Sequence, residues 1–241
     1  ISGGLILDYL QDKSAKNISV VNSHTNDENI KILYPCVFGA QDQPMLIEEI
    51  NFLKNLYKNL EKNIQNFTLI VRTYPSINEK DFYNELMAYK NLTFYRHKNY
   101  KTIPRLGNKK ETISFSSNQE KIDSLNISDI LISNGSTMTL EYSYLNKPII
   151  HLNANEFEKG KINKVLFNRL SIYGHLQHLC PQNFNLNVVS SFDGIIEGIK
   201  KYKLKEMLSY NSYLKEFCNP TKELASNNIM NNLINPKNIV E

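Results

Sequence analysis

Cysteine is scarce in this sequence. Cys36, Cys180 and Cys218 are odd in number and lack C-x-x-C spacing, which argues against a disulfide framework or a zinc ribbon and favours a reducing compartment. No apolar run approaches the roughly eighteen residues that a membrane helix requires, so no integral membrane segment is expected. No signal peptide is visible, and the chain opens on Ile1 rather than Met, so a piece of a longer protein is expected. Neither a G-x-G-x-x-G nor a Walker sequence occurs. Internal repeats are missing, and the Asn/Lys/Ile bias is spread too evenly to make a low-complexity segment.

What is present is a chain of 241 residues, 41% apolar and 22% charged, which is long enough and apolar enough to bury a sizeable core. A net charge of +4 is compatible with anionic ligands and decides nothing alone. The stretch from Ile127 to Asn153 organises the rest. A short apolar strand (Ile130, Leu131, Ile132) leads into a polar turn (Ser133, Asn134, Gly135, Ser136, Thr137), then a helix and a second strand from Pro148 to Leu152. That is a βαβ unit of minimal length. Its turn falls at the carboxyl edge of a parallel sheet, where a helix N-terminus presents unpaired N–H groups and partial positive charge, a natural seat for phosphate. Gly135 permits close backbone approach, and Ser136 and Thr137 offer hydroxyls at the cap. Glu141, four residues after Thr137, shares its helical face and could accept from a ribose diol. The same residues also read as a plain helix cap followed by a solvated glutamate.

Around this unit, residues 1–30 read as a connector. Lys31 to Phe38 reads as a buried strand bounded by Gly39, and Pro44 suits a first helical position. Apolar residues at 46, 50, 53, 57, 60 and 64 follow the helical period. Phe67 to Arg72 predicts a second strand, Asp81 to Lys90 a helix with Phe82, Leu86 and Tyr89 on one side, and Leu92 to Tyr95 a third strand. Thr112 to Phe115 suggests a short strand. Ser117 to Glu120 reads as a capping box opening a helix through Ile122 and Leu125. Val188 and Val189 form a last strand, and Ser190 to Asp193 a second capping box, with its helix running to about Tyr202. Residues 204–241 are expected to be C-terminal helices, separated at Asn219-Pro220.

Residues 96–110 carry Arg96, Lys98, Lys101, Arg105, Lys109 and Lys110 with no acid and with Tyr100 interleaved. Such a loop could grip nucleic acid. Since the rest of the chain is not basic, a solvated loop beside an anionic small-molecule site is preferred, and no nucleic-acid partner is expected. His175, His178 and Cys180 do not share one helical face and lack a fourth ligand, so ordinary packing is preferred to a metal site. His97 and His151 each stand alone, and His151 ends a buried strand as a core or edge histidine.

The order of these elements, with D-I-L-I-S-N-G-S-T-M-T-L-E followed by N-K-P-I-I, resembles the C-terminal, donor-binding half of a GT-B glycosyltransferase. It is similar to the bacterial surface-polysaccharide and CDP-glycerol glycerophosphotransferase-like enzymes, with the UDP-N-acetylglucosamine 2-epimerases as structural cousins. The residues that match are Arg72, Pro75, Asp129, Ser136, Thr137, Glu141, Lys147 and Pro148, and Gly3 to Leu10 looks like the crossing from a first domain into a second. Tyr74 stands where those families carry histidine, and a tyrosine, titrating near pH 10, is a poor general base.

The resemblance implies an α/β fold, a Rossmann-like doubly wound parallel sheet over residues 31–203, forming one half of a GT-B fold with C-terminal helices. It implies a donor site of Gly39, Arg72, Tyr74, Asn134, Gly135, Ser136, Thr137 and Glu141, with phosphate on the Gly135 turn and Arg72, and ribose on Glu141. No metal or cofactor is expected beyond the donor itself, because helix N-termini and basic side chains stabilise the leaving nucleotide. The catalytic base stays unassigned. The implied activity is transfer of a sugar or polyol phosphate from a nucleotide-activated donor to a glycan or lipid-linked acceptor in surface polysaccharide synthesis. It would be completed by a missing N-terminal domain and located in the cytoplasm or at the inner face of the membrane. An NDP-sugar 2-epimerase and a non-catalytic nucleotide- or glycan-binding module are the alternatives, and Tyr74 leans toward the last.

Overall fold

The computed structural model describes residues 29–38, 43–73, 84–95, 101–105, 108–112, 115–134, 138–145, 147–152 and 188–204. Six strands form one sheet: β1 (Ile30–Pro35), β2 (Phe67–Arg72), β3 (Leu92–Tyr95), β6 (Ile130–Ser133), β7 (Ile149–Leu152) and β8 (Val188–Val189). Every pairing in it is parallel, in the order β3-β2-β1-β6-β7-β8. Parallel strands are buried on both faces, which is why β1, β2, β6 and β7 read as nearly unbroken apolar runs rather than as alternating ones.

The helices divide between the two faces. The long helix α1 (Gln43–Asn63) and the last helix α4 (Phe192–Lys203) share a core with Ile30, Ile32 and Tyr34 of β1, Leu69 and Val71 of β2, and Ile130 and Ile132 of β6. Phe52 of α1 stacks on Phe192 of α4 with centroids 5.4 Å apart. The alternate strand residues Leu33, Ile70, Leu131 and Ile149 are also buried, on the side of α2 (Phe115–Ile127) and α3 (Met138–Tyr144). The sheet is therefore doubly wound, as the resemblance implied.

Leu46, Leu53, Tyr57, Leu60 and Ile64 are all buried along α1, as the spacing predicts, with Phe52 and Leu56 beside them. Asn66, in the left-handed region at φ 53°, turns the chain from α1 into β2, a conformation asparagine tolerates better than most residues. The first strand ends earlier than expected, at Pro35, and Cys36 to Phe38 leave the sheet. Instead of the helix expected over Asp81 to Lys90, the described part holds one 3-10 turn, Leu86–Ala88. Tyr89 is already extended at φ −79°, ψ 120°, because the chain must enter β3 three residues later, and its ring stacks on Tyr57 with centroids 4.1 Å apart.

The basic segment is not simply a loop. It contains an antiparallel hairpin of β4 (Lys101–Arg105) and β5 (Asn108–Thr112), pairing Lys101 with Thr112 and Arg105 with Asn108 across a two-residue connection. Pro104 is admissible there because a two-stranded ribbon is all edge. The strand expected from Thr112 to Phe115 is corrected accordingly: Thr112 closes β5 and Phe115 opens α2. Ser117 thus lies inside the first turn of α2 and is not its cap. The second capping box is displaced by one residue, since Ser191, extended at φ −153°, accepts from Gly194 N at 3.1 Å. The expected connector up to residue 28 and the helices beyond residue 204 lie outside the described residues.

Candidate functional site at the switch point

Connections run one way from β1 to β2 and β3, and the other way from β6 to β7 and β8. The crevice outside the carboxyl ends of β1 and β6 is the switch point, where doubly wound sheets take their ligands. Three of the residues expected in the donor site are described, and all three lie around it. Arg72 ends β2 beside Pro35 of β1, Asn134 follows β6, and Glu141 lies one turn into α3. All are buried, at 3%, 0% and 5% exposure, so neither a surface ion pair for Arg72 nor a solvated position for Glu141 applies. Gly39, Tyr74, Gly135, Ser136 and Thr137 lie outside the described residues.

Asn134 is held by β1. Its Nδ2 donates to Tyr34 Oη at 2.9 Å, to the Pro35 carbonyl at 3.3 Å and to Glu49 Oε1 at 3.3 Å. Glu49, fully buried in the second turn of α1, also accepts from Tyr34 Oη at 3.2 Å, from Val37 N at 3.1 Å and from Phe38 N at 3.4 Å. Helical side chains lean toward the N-terminus, which carries this carboxylate to the edge where β1 ends. Burial, with the Glu49 charge beside it, raises the Tyr34 hydroxyl well above its ordinary range and keeps it a donor.

Sequence reasoning missed Glu49. The available signal was a carboxylate three residues after Leu46 and four before Leu53, inside the apolar stripe of α1, where a solvated glutamate has no place.

The second group is charged. Lys121 of α2 forms an ion pair with Glu141 Oε1, while Glu141 Oε2 is buried with no hydrogen-bond partner. Burial pushes the Glu141 carboxyl up, and Lys121 and then Arg72 oppose it. Burial draws the Arg72 guanidinium down to about 10, with Glu120 and Glu141 opposing, so it stays cationic at neutral pH. Arg72 and Glu141 thus influence each other electrostatically, and two acceptors are unmet, Glu141 Oε2 and Asn134 Oδ1. Such a set can hold an anion next to a group bearing hydroxyls or N–H donors.

Two residues of the matched motif have structural tasks. Asp129 Oδ2 accepts from Lys31 N at 2.7 Å while Asp129 N donates to the Lys31 carbonyl at 2.7 Å, setting the register of β6 on β1. Lys147 Nζ donates to the carbonyls of Leu125, Asn126 and Ser128 at 2.8, 2.6 and 2.7 Å, covering the C-terminal end of α2. His151 is a core residue, 1% exposed, and burial lowers it to about 4. Among the described residues no group of three or more His, Cys, Asp or Glu could hold a metal, and His175, His178 and Cys180 lie outside them.

The fold is a doubly wound, Rossmann-like α/β domain with buried polar residues at its switch point. Residues 62–171, from the end of α1 to beyond β7, match the family model of CDP-Glycerol:Poly(glycerophosphate) glycerophosphotransferase, so the resemblance to these enzymes holds over that segment. Among solved structures the chain is similar to UDP-GlcNAc 2-epimerase from Neisseria meningitidis bound to UDP-GlcNAc, at 14% identity and a TM-score of 0.51, covering 97% of this chain and 54% of that one. It is also similar to MnaA of S. aureus in complex with UDP, at 13% identity and a TM-score of 0.48, covering 100% and 54%. A variant of the wall teichoic acid polymerase TagF follows at 14% identity and a TM-score of 0.44, covering 97% and 53%. The chain spans about half the length of these structures, and at 14% identity what it shares with the first is the fold. No curated protein matches.

Proposed function

We propose that this chain is the donor-binding half of an enzyme that transfers a sugar or a polyol phosphate from a nucleotide-activated donor in the synthesis of a cell-surface polymer. One observation carries the reading. The glycerophosphotransferase match spans residues 62–171, and within that span Arg72, Asn134 and Glu141 are buried polar residues around one switch point.

Arg72 would neutralise the charge that develops on the leaving phosphate, together with the N–H groups of the turn at Gly135, Ser136 and Thr137. Glu141 Oε2 and Asn134 Oδ1 would accept from the nucleoside. For a CDP-polyol the acceptor hydroxyl attacks the phosphorus bearing the polyol and CMP leaves. For a nucleotide sugar the attack is at the anomeric carbon and a nucleoside diphosphate leaves. Neither route draws on a metal in this reading. The acceptor, a glycan or lipid-linked polymer, would be met by a further N-terminal domain, at the cytoplasmic face of the membrane. No described helix is long and apolar enough to cross a membrane.

Calorimetric titration with UDP, GDP, CDP, CMP and ADP, with and without magnesium, tests this. Saturable, metal-independent binding of one nucleotide is expected, and CMP or CDP would point to a polyol donor. Arg72→Ala and Glu141→Ala should each weaken that binding by about tenfold or more, since each removes a charged hydrogen-bonding group. Unchanged affinity in both folded variants would remove the site assignment.

A further inference from the structure

In a doubly wound sheet the loop after the first strand is where backbone N–H groups commonly receive a ligand phosphate. Here two described N–H groups of that loop, those of Val37 and Phe38, are already taken. Val37 N donates to Glu49 Oε1 at 3.1 Å and to Oε2 at 3.3 Å, and Phe38 N donates to Oε2 at 3.4 Å. The carboxylate is wholly buried and reaches the loop from α1, on the protein side. It also crosses the switch point to Asn134, 85 positions away in sequence.

That last contact has a chemical consequence. The carboxylate and the Pro35 carbonyl can only accept, so the Asn134 amide must turn its nitrogen toward them. Its oxygen is left buried and unmatched. Glu49 and the Pro35 carbonyl together therefore fix which end of Asn134 is left unmatched.

We propose that Glu49 is a positioning residue of the nucleotide site. Its carboxylate is a built-in anion that fills the place a ligand phosphate would take at the first loop. Phosphate is thereby directed toward Arg72, and Asn134 is held with Oδ1 free to meet the ligand as an acceptor. The inference rests on the nucleotide-binding reading above.

Chemical rescue tests it. Glu49→Ala opens an anion position, so sodium formate or acetate at tens of millimolar is expected to raise its Tm, with sodium chloride at equal ionic strength as the control, while the wild type responds equally to all three. UDP or CMP, whichever the wild type binds, should bind Glu49→Ala about tenfold more weakly, and formate should restore most of the loss. A role confined to stability would move Tm and leave affinity in the folded variant unchanged. Should Glu49→Ala not fold, Glu49→Gln carries the affinity test, because it keeps the volume and removes the charge. Unchanged affinity in either folded variant overturns the inference, as does a Tm of Glu49→Ala that formate and acetate leave at the chloride value. If the wild type binds no nucleotide, the functional reading fails separately. The Tm arm, which needs no nucleotide, still decides whether Glu49 is a built-in anion.

Discussion

Lys147 and His151 stand four residues apart and illustrate two ways of burying a basic group. Lys147 directs its three donors at three carbonyls, and burial lowers its ammonium to about 8 with Asp129 opposing. Lys147→Met should uncover those carbonyls and cost about 1–3 kcal/mol in urea unfolding, with the sheet retained by circular dichroism. His151 is buried in its neutral form. Its folded value of about 4 against 6.5 means the unfolded chain binds the extra proton first. Stability is therefore complete above pH 6.5 and declines as pH falls toward 4, by roughly 3 kcal/mol in all. Urea midpoints across that window should show the decline, and His151→Leu should flatten it. Membership of a sequence motif does not fix a residue's task. Asp129 and Lys147 belong to the same matched motif as Glu141, yet they fasten a strand and a helix end, a difference set by what lies across the sheet. Glu49 was legible only as a charge in an apolar stripe, and its partners include β1, the residues that follow it and Asn134.

Among the elements, α4 shows how closely local chemistry fixes a boundary. Ser191→Ala removes the acceptor for Gly194 N and should lower stability by about 1 kcal/mol. Gly194→Ala should also destabilise, because an added Cβ would come within 3.0 Å of Val189 Cβ in β8. Thermal denaturation of both variants checks the pair. Continuous apolar runs identified β2, β6 and β7 at or within one residue of their limits, since a strand buried on both faces has little freedom of composition. Periodicity identified α1 for the matching reason, an apolar stripe facing one core. The misplaced elements are those whose sequence lacks a clear apolar pattern. The hairpin of β4 and β5 is rich in lysine and reads as a loop, and the chain before β3 has helical spacing but its described residues hold one 3-10 turn.

At the level of the whole molecule, the order β3-β2-β1-β6-β7-β8 cannot be read from any single segment, and only the resemblance implied it. Its functional counterpart is testable without the chemistry. A nucleotide at a hundred times its dissociation constant should stabilise the folded chain by about 2.7 kcal/mol, seen as a rise in Tm that grows with ligand concentration and is smaller in Arg72→Ala at the same concentrations. The same order bears on how the chain is made. Lys31 and Asp129, which join β1 to β6, are 98 positions apart. At synthesis rates of about 5–20 residues per second, on the order of 5–20 s separate their emergence from the ribosome. For that interval β1 can pair with β2 alone, and the flank with Ile32 and Leu33 stays an open strand edge. Yield in the cell should then depend on what shields that edge while the chain is still growing.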